Sequence, residues 1–131
     1  MKKIILGLMV VGMLCSCQEK KSERFEREAR EFTEKNCPQH LDPITTLDSL
    51  VFEPAGVGTL KQYYTLDLDD ESREAFMNKL GEIGDTNLKI VKNSVLFIKH
   101  KDAGVTFSYI YFDAATGDKL VQYDFMEEQY K

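Results

Sequence analysis

The sequence has no tryptophan, only three cysteines and three prolines in 131 residues, and fewer basic than acidic side chains, 17 against 22. Three cysteines are too few for a disulfide-dense scaffold, and the low proline count with eight glycines excludes a collagen-like or wholly disordered chain. A net charge of −5 supplies no basic footprint for phosphate backbones, so nucleic acid is not an expected partner. Also missing are a Ser-His-Asp constellation, a glycine-rich phosphate loop and an HExxH zinc motif, which moves weight from an enzyme towards a binding module. What is present is ordinary for one small folded domain: 43% hydrophobic and 30% charged residues, on a length that can bury a core without staples.

The first residues carry an address. Lys2 and Lys3 precede eleven apolar or glycine residues, Ile4 to Leu14, the layout of an export signal. A bilayer helix needs about 20 residues, so this run is too short to span. Leu14-Cys15-Ser16-Cys17 follows directly and resembles the lipobox of bacterial lipoproteins, with an aliphatic residue at −3, a small one at −1 and the acceptor cysteine. The resemblance implies cleavage between Ser16 and Cys17, lipidation of Cys17, and attachment to a membrane of the bacterial cell envelope, facing the periplasm or the cell surface. It divides the chain into a signal peptide (1–16), a lipidated cysteine with a short tether (17–21) and one domain (22–131). The mature chain then has 15 basic and 22 acidic side chains, a balance of −7 that anionic headgroups would repel, so the lipid alone is expected to hold it down.

Cysteine chemistry narrows accordingly. With Cys15 removed and Cys17 acylated, Cys37 is a lone thiol, most simply a small buried hydrophobe. The sharper alternative is a thiol- or metal-dependent enzyme, because Cys37 and His40 stand three apart with Asp42 close by. That alternative requires a depressed thiol pKa. A zinc site needs three or four ligands, and His100 has no ligand-spaced neighbour, so no metal and no cofactor are expected.

Along the domain, Ser22 is a good N-cap and Glu23 to Lys35 is rich in helix formers, with Phe25, Ala29 and Phe32 on one stripe and Pro38 forbidding continuation. Thr45 to Glu53 reads as a strand, closed by Pro54, Gly56 and Gly58. Leu60, Gln62, Tyr64, Leu66 and Leu68 alternate with Thr59, Lys61, Tyr63, Thr65 and Asp67, the clearest period of two in the chain. Asp67, Asp69, Asp70 and Glu71 resemble the start of a calcium loop, but Ser72 and Asn78 stand where that loop needs Gly and Glu, so helix capping is the better reading. A second helix is expected over Glu71 to Leu80, ended by Gly81 and Gly84. Residues 86–101 fit a helix or a short buried strand, with helix preferred. Val105 to Phe112 and Leu120 to Met126 alternate again and predict a second hairpin around Gly117.

The order predicts an α+β domain, αββ-α(α)-ββ, with a four-stranded antiparallel sheet and helices on one face. Aligning Thr59–Asp67 with Val105–Asp113 matches only two residues, Tyr63 with Tyr109 and Asp67 with Asp113, so an internal αββ repeat is suggested without being shown. Asn36-Cys37-Pro38, Thr46-Leu47-Asp48, Tyr64-Thr65-Leu66, Gly104-Val105-Thr106 and Tyr109-Ile110-Tyr111 resemble an uncharacterised family of small exported bacterial proteins, which implies no particular activity. The tyrosines at 64, 109, 111 and 123 are expected to pack inward with their hydroxyls at the rim. The opposite face collects Lys61, Tyr63, Thr65, Thr106, Ser108, Gln122 and Asp124, an adaptable contact surface if the strands align. The function these features favour is a membrane-anchored, non-enzymatic binding or accessory module with an envelope protein as partner. An inhibitor or immunity-type protein is the alternative, on fold analogy alone.

Overall fold

The computed structural model describes residues 20–131, so the predicted leader, cleavage site and Cys17 lie outside the described residues. Helix α1 spans Lys21–Asn36. Its run of Glu, Arg and Lys favours helix, Arg24 pairs with Glu28 at 2.7 Å one turn on, and Phe25 and Ala29 are its buried stripe. No side chain caps its start, so Ser22 does not act as the N-cap. After the cis Cys37–Pro38 bond the chain makes a two-residue strand β1 (Gln39–His40), then β2 (Thr45–Glu53) and β3 (Thr59–Leu66). The β2–β3 hairpin needs glycine at Gly58 twice over: its φ is +88°, and a Cβ there would collide with the Phe52 ring.

Helices α2 (Asp70–Met77), α3 (Leu80–Asn93) and α4 (Ile98–Asp102) follow, then β4 (Thr106–Asp113), β5 (Lys119–Phe125) and the single turn α5 (Glu127–Tyr130). The acidic knot is a cap, as expected: Asp69 accepts from the Ser72 N–H while the Asp69 N–H donates to Ser72 Oγ, a capping box. Residues 80–93 and 98–102 are helical, in line with the helical preference for that region. Gly81 and Gly84, expected to end a helix, instead lie inside α3, and the helix before them stops at Met77. The reason is contact, not termination. A Cβ on Gly84 would sit 2.8 Å from the Tyr123 ring, whose hydroxyl donates to Leu80 O at 2.6 Å, so the glycine lets α3 lie directly on β5.

The sheet has five strands in the order β1-β2-β3-β4-β5, and it is mixed. Both hairpins, β2–β3 and β4–β5, are antiparallel, but β3 and β4 run parallel from Thr59↔Thr106 to Leu66↔Asp113. The expected four-stranded antiparallel sheet is therefore corrected in strand number and in its central pairing. Parallel neighbours need a crossover that returns the chain to the end of the sheet where the first strand began. Helix α3, about 21 Å long at 1.5 Å per residue, covers most of the ~26 Å length of an eight-residue strand on that return. The internal repeat also fails, since it matches outward-facing Tyr63 with inward-facing Tyr109, a one-residue slip that exchanges the two faces.

The described helices pack on the same side of the sheet. Phe25 of α1 meets Phe52, Phe76 of α2 meets Tyr111, Asn87 of α3 donates to the Tyr111 hydroxyl, and Tyr130 of α5 packs edge-on to Phe107. Phe97 beside α4 also lies on Phe107, which is wholly buried with Val91. Tyr64, Tyr109 and Tyr111 stack along this inner face at 5.0 and 6.1 Å. They point inward as expected, yet their hydroxyls do not reach the rim: Tyr64 donates to buried Gln62 and Tyr111 accepts from buried Asn87.

Candidate functional site

Among the described residues the other side of the sheet carries no helix, and strand register brings all seven predicted residues onto it, although Ser108, expected on an open surface, is only 2% exposed because its neighbours on β3 and β5 close over it. In one row Val51, Lys61, Ser108 and Asp124 stand side by side, and in the next Ser49, Tyr63, Ile110 and Gln122 do. Thr65 occupies the third row beside Phe112, and Thr106 lies opposite Thr59 at the start of the parallel pair. Ile110 and Phe112 add apolar ground between the polar positions, with Ile110 only 4% exposed although no described helix covers it.

The polar groups are paired across strands. Lys61 Nζ lies 2.7 Å from Glu53, and that bond pushes the ammonium pKa up. Asp124 accepts from Ser108 Oγ at 2.5 Å and from Gln122 Nε2 at 3.0 Å, while Lys119 donates to Gln122 Oε1 at 3.1 Å. Thr65 Oγ1 donates to Asp48 at 2.5 Å, and Tyr63 stacks on Phe112 with ring centroids 6.3 Å apart. Asp48 belongs to this surface and is not visible by alternation, because a bulge between Leu47 and Ser49 shifts the register of β2. The face is thus a sheet of preformed hydrogen bonds around two apolar side chains.

The edges of the sheet are managed differently. The short β1 pairs only with Thr46 and Leu47. Further along β2, Thr33 of α1 takes over: its Oγ1 accepts from the Leu50 N–H and lies 2.9 Å from the Leu50 carbonyl. A helix side chain thereby blunts an edge that would otherwise invite another strand.

The Cys37, His40 and Asp42 group gathers no machinery. Cys37 is half-buried, and burial with the nearby Asp48 carboxylate pushes its thiol pKa up, the opposite of what a nucleophile needs. His40 Nδ1 shares a 3.0 Å hydrogen bond with Thr46 Oγ1, and Asp42 accepts the Ile44 and Thr45 N–H groups, which also lowers its pKa. His100 is buried far from that loop in sequence, stacked on Phe25 at 4.1 Å, and burial lowers its pKa. Among the described residues no group of three or more His, Cys, Asp or Glu side chains is placed to hold a metal ion. No helix among them is long and apolar enough to cross a membrane.

Comparison with known proteins supports the architecture. The fold is similar to that of a Pseudomonas aeruginosa protein described only as secreted, with a TM-score of 0.72 at 13% identity over 84% of this chain and 92% of that one. It is also similar to the pilotin EpsS of the Vibrio vulnificus type 2 secretion system, with a TM-score of 0.58 at 7% identity over 81% of this chain and 87% of the pilotin. At such identities the likeness is one of fold. No curated protein matches the sequence. A family profile does match, over residues 20–121, most of the helices and the whole of β1 to β4, and on that match the chain belongs to the family described as Domain of unknown function (DUF8479).

Proposed function

We propose that this protein is a lipid-anchored accessory protein of the bacterial envelope that receives a partner protein on the helix-free face of its sheet. The observation that carries the reading is the asymmetry of the sheet: the described helices sit on one side, while the other presents Lys61, Tyr63, Gln122 and Asp124 around buried Ser108 and Ile110. A protein that only needed to be soluble could leave such a face irregular; here its polar groups are paired in advance, which lowers the ordering cost of binding. The Leu14-Cys15-Ser16-Cys17 sequence supplies the anchor in this reading, with Cys17 acylated and Lys20 already at the edge of the domain. The pilotin likeness supports an accessory role of the same kind, attending a component of an envelope assembly. A thiol pKa raised by burial and by Asp48 speaks against Cys37 as a nucleophile.

Two measurements test it. Metabolic labelling with palmitate should mark the wild-type protein and not Cys17→Ala. A photo-crosslinking amino acid at position 63 should capture one defined envelope protein in intact cells, whereas the same probe at Glu26, exposed on α1 across the sheet, should not. Equal capture at both positions, or at neither, rejects the face as the contact surface.

A further inference from the structure

Acidic as it is, the chain has one stretch with the opposite character. Residues 86–101 carry four lysines, at 89, 92, 99 and 101, and no carboxylate. The same stretch holds the most exposed large apolar side chains described: Leu96 at 83% and Val95 at 76%, with Ile90 and Ile98 about half exposed. The turn between α3 and α4 arranges this. Phe97 is drawn inward against Phe107 at 5.3 Å, and its neighbours on both sides are consequently turned out. Three apolar side chains thus project from a turn that is fixed to the core by the residue between them.

Its location is equally specific. Val95, Leu96 and Ile98 border a groove shared with Arg24 and Glu28 of α1, where Glu28 is already neutralised by Arg24. Lys99 and Asp102 line a second hollow with Lys21, Arg24 and Phe25 near the start of α1. The turn therefore lies at the end of the domain where the described chain begins. From Cys17 to Lys21 is four residues, a reach of about 14 Å at full extension.

We propose that the Val95–Ile98 turn and the lysines flanking it form a membrane-interface contact, which seats this end of the domain on an anionic bilayer beside the N-terminal anchor. Apolar side chains flanked by lysines are the composition of surfaces that enter the headgroup region, the apolar groups burying area and the cations meeting lipid phosphates. The overall negative charge does not oppose this. Screening confines electrostatic influence to about 8 Å at physiological ionic strength, so the bilayer senses the lysines together with the local Asp102 and the Arg24–Glu28 pair, and not the carboxylates across the domain. The orientation rests on the reading of Cys17 as the anchor, and it leaves the helix-free sheet face free of the bilayer for a partner.

The absence of tryptophan makes the test clean. Leu96→Trp and, as a control at the other end of the sheet, Met77→Trp each introduce one fluorophore at an exposed position. Each lipidated protein, purified from membranes, is placed on phosphatidylglycerol/phosphatidylcholine vesicles with or without brominated acyl chains, and flotation is measured in parallel. The expected result for Leu96→Trp is a blue-shifted indole emission quenched about twofold by the brominated chains, as for a side chain ~5–10 Å into the interface, with the emission of Met77→Trp unchanged. Quenching should weaken on pure phosphatidylcholine and when Lys92→Glu and Lys99→Glu are added to Leu96→Trp. Flotation of Leu96→Trp without quenching overturns the contact while leaving the anchor standing. Failure to float overturns both.

Discussion

The two faces of the sheet are built on different principles from the same strands. On the inner face long-range packing dominates: Phe107 is fully buried and touched by rings from the α3–α4 turn and from α5, and three tyrosines stack across the central strands. On the outer face polar groups are satisfied by neighbours one strand away, Ser108 by Asp124, Thr65 by Asp48 and Lys61 by Glu53. The inner face specifies the fold, because its residues depend on helices brought from elsewhere in the chain. The outer face could change composition without unfastening any of those helices, so its pairs stabilise the sheet locally, strand by strand.

The largest expected effect breaks the inner face. Phe107→Ala should cost about 3–5 kcal/mol, read as a lowered denaturant midpoint with an unchanged slope. Ile110→Ala is the sharper comparison, since Ile110 is nearly as buried but stands outside the continuous core. Loss of its contacts should cost about 2 kcal/mol, and a loss equal to that at Phe107 would show that the outer face is a second core. A smaller effect probes the inner face by pH. His100, packed against Phe25 and Phe97 with Glu28 and Arg24 nearby, has its pKa lowered chiefly by burial. The unfolded chain binds this proton first, so stability should fall as pH drops from about 6.5 towards the lower folded value. Thermal unfolding of His100→Phe should be flatter across that window. Below it a second loss is expected as Asp113 protonates, because Arg73 holds that carboxyl below the ordinary range.

Much of this is legible in the sequence, and the parts that are not have physical causes. Alternation along Leu60 to Leu66 gives both faces of β3 correctly, and Thr45–Glu53 with its glycine turn is readable to the residue. Alternation is blind to direction, however, so nothing in Thr106–Asp113 reveals that it runs parallel to β3. A bulge resets the count at Asp48, which hides one member of the surface. Gly84 looks like a stop because its use is a contact with Tyr123, 39 positions away. The side of the sheet on which the seven residues stand is readable because it follows from a period of two, but the burial of Ser108 is not, and the Val95–Ile98 turn is obscured by a spacing that suits a helix and a strand equally.

The parallel junction has a consequence in time. Each hairpin joins residues close in sequence, whereas the β3–β4 seam joins Thr59 to Thr106, 47 positions apart. Local pairings close quickly and distant ones slowly, because the intervening loop must first be ordered. The seam cannot be zipped until α2, α3 and α4 are all available, so a chain threaded through a pore from its N-terminus would leave its first hairpin waiting, half a sheet with an open edge. The sheet of such a chain becomes whole only after residues 106–113 have arrived beside β3.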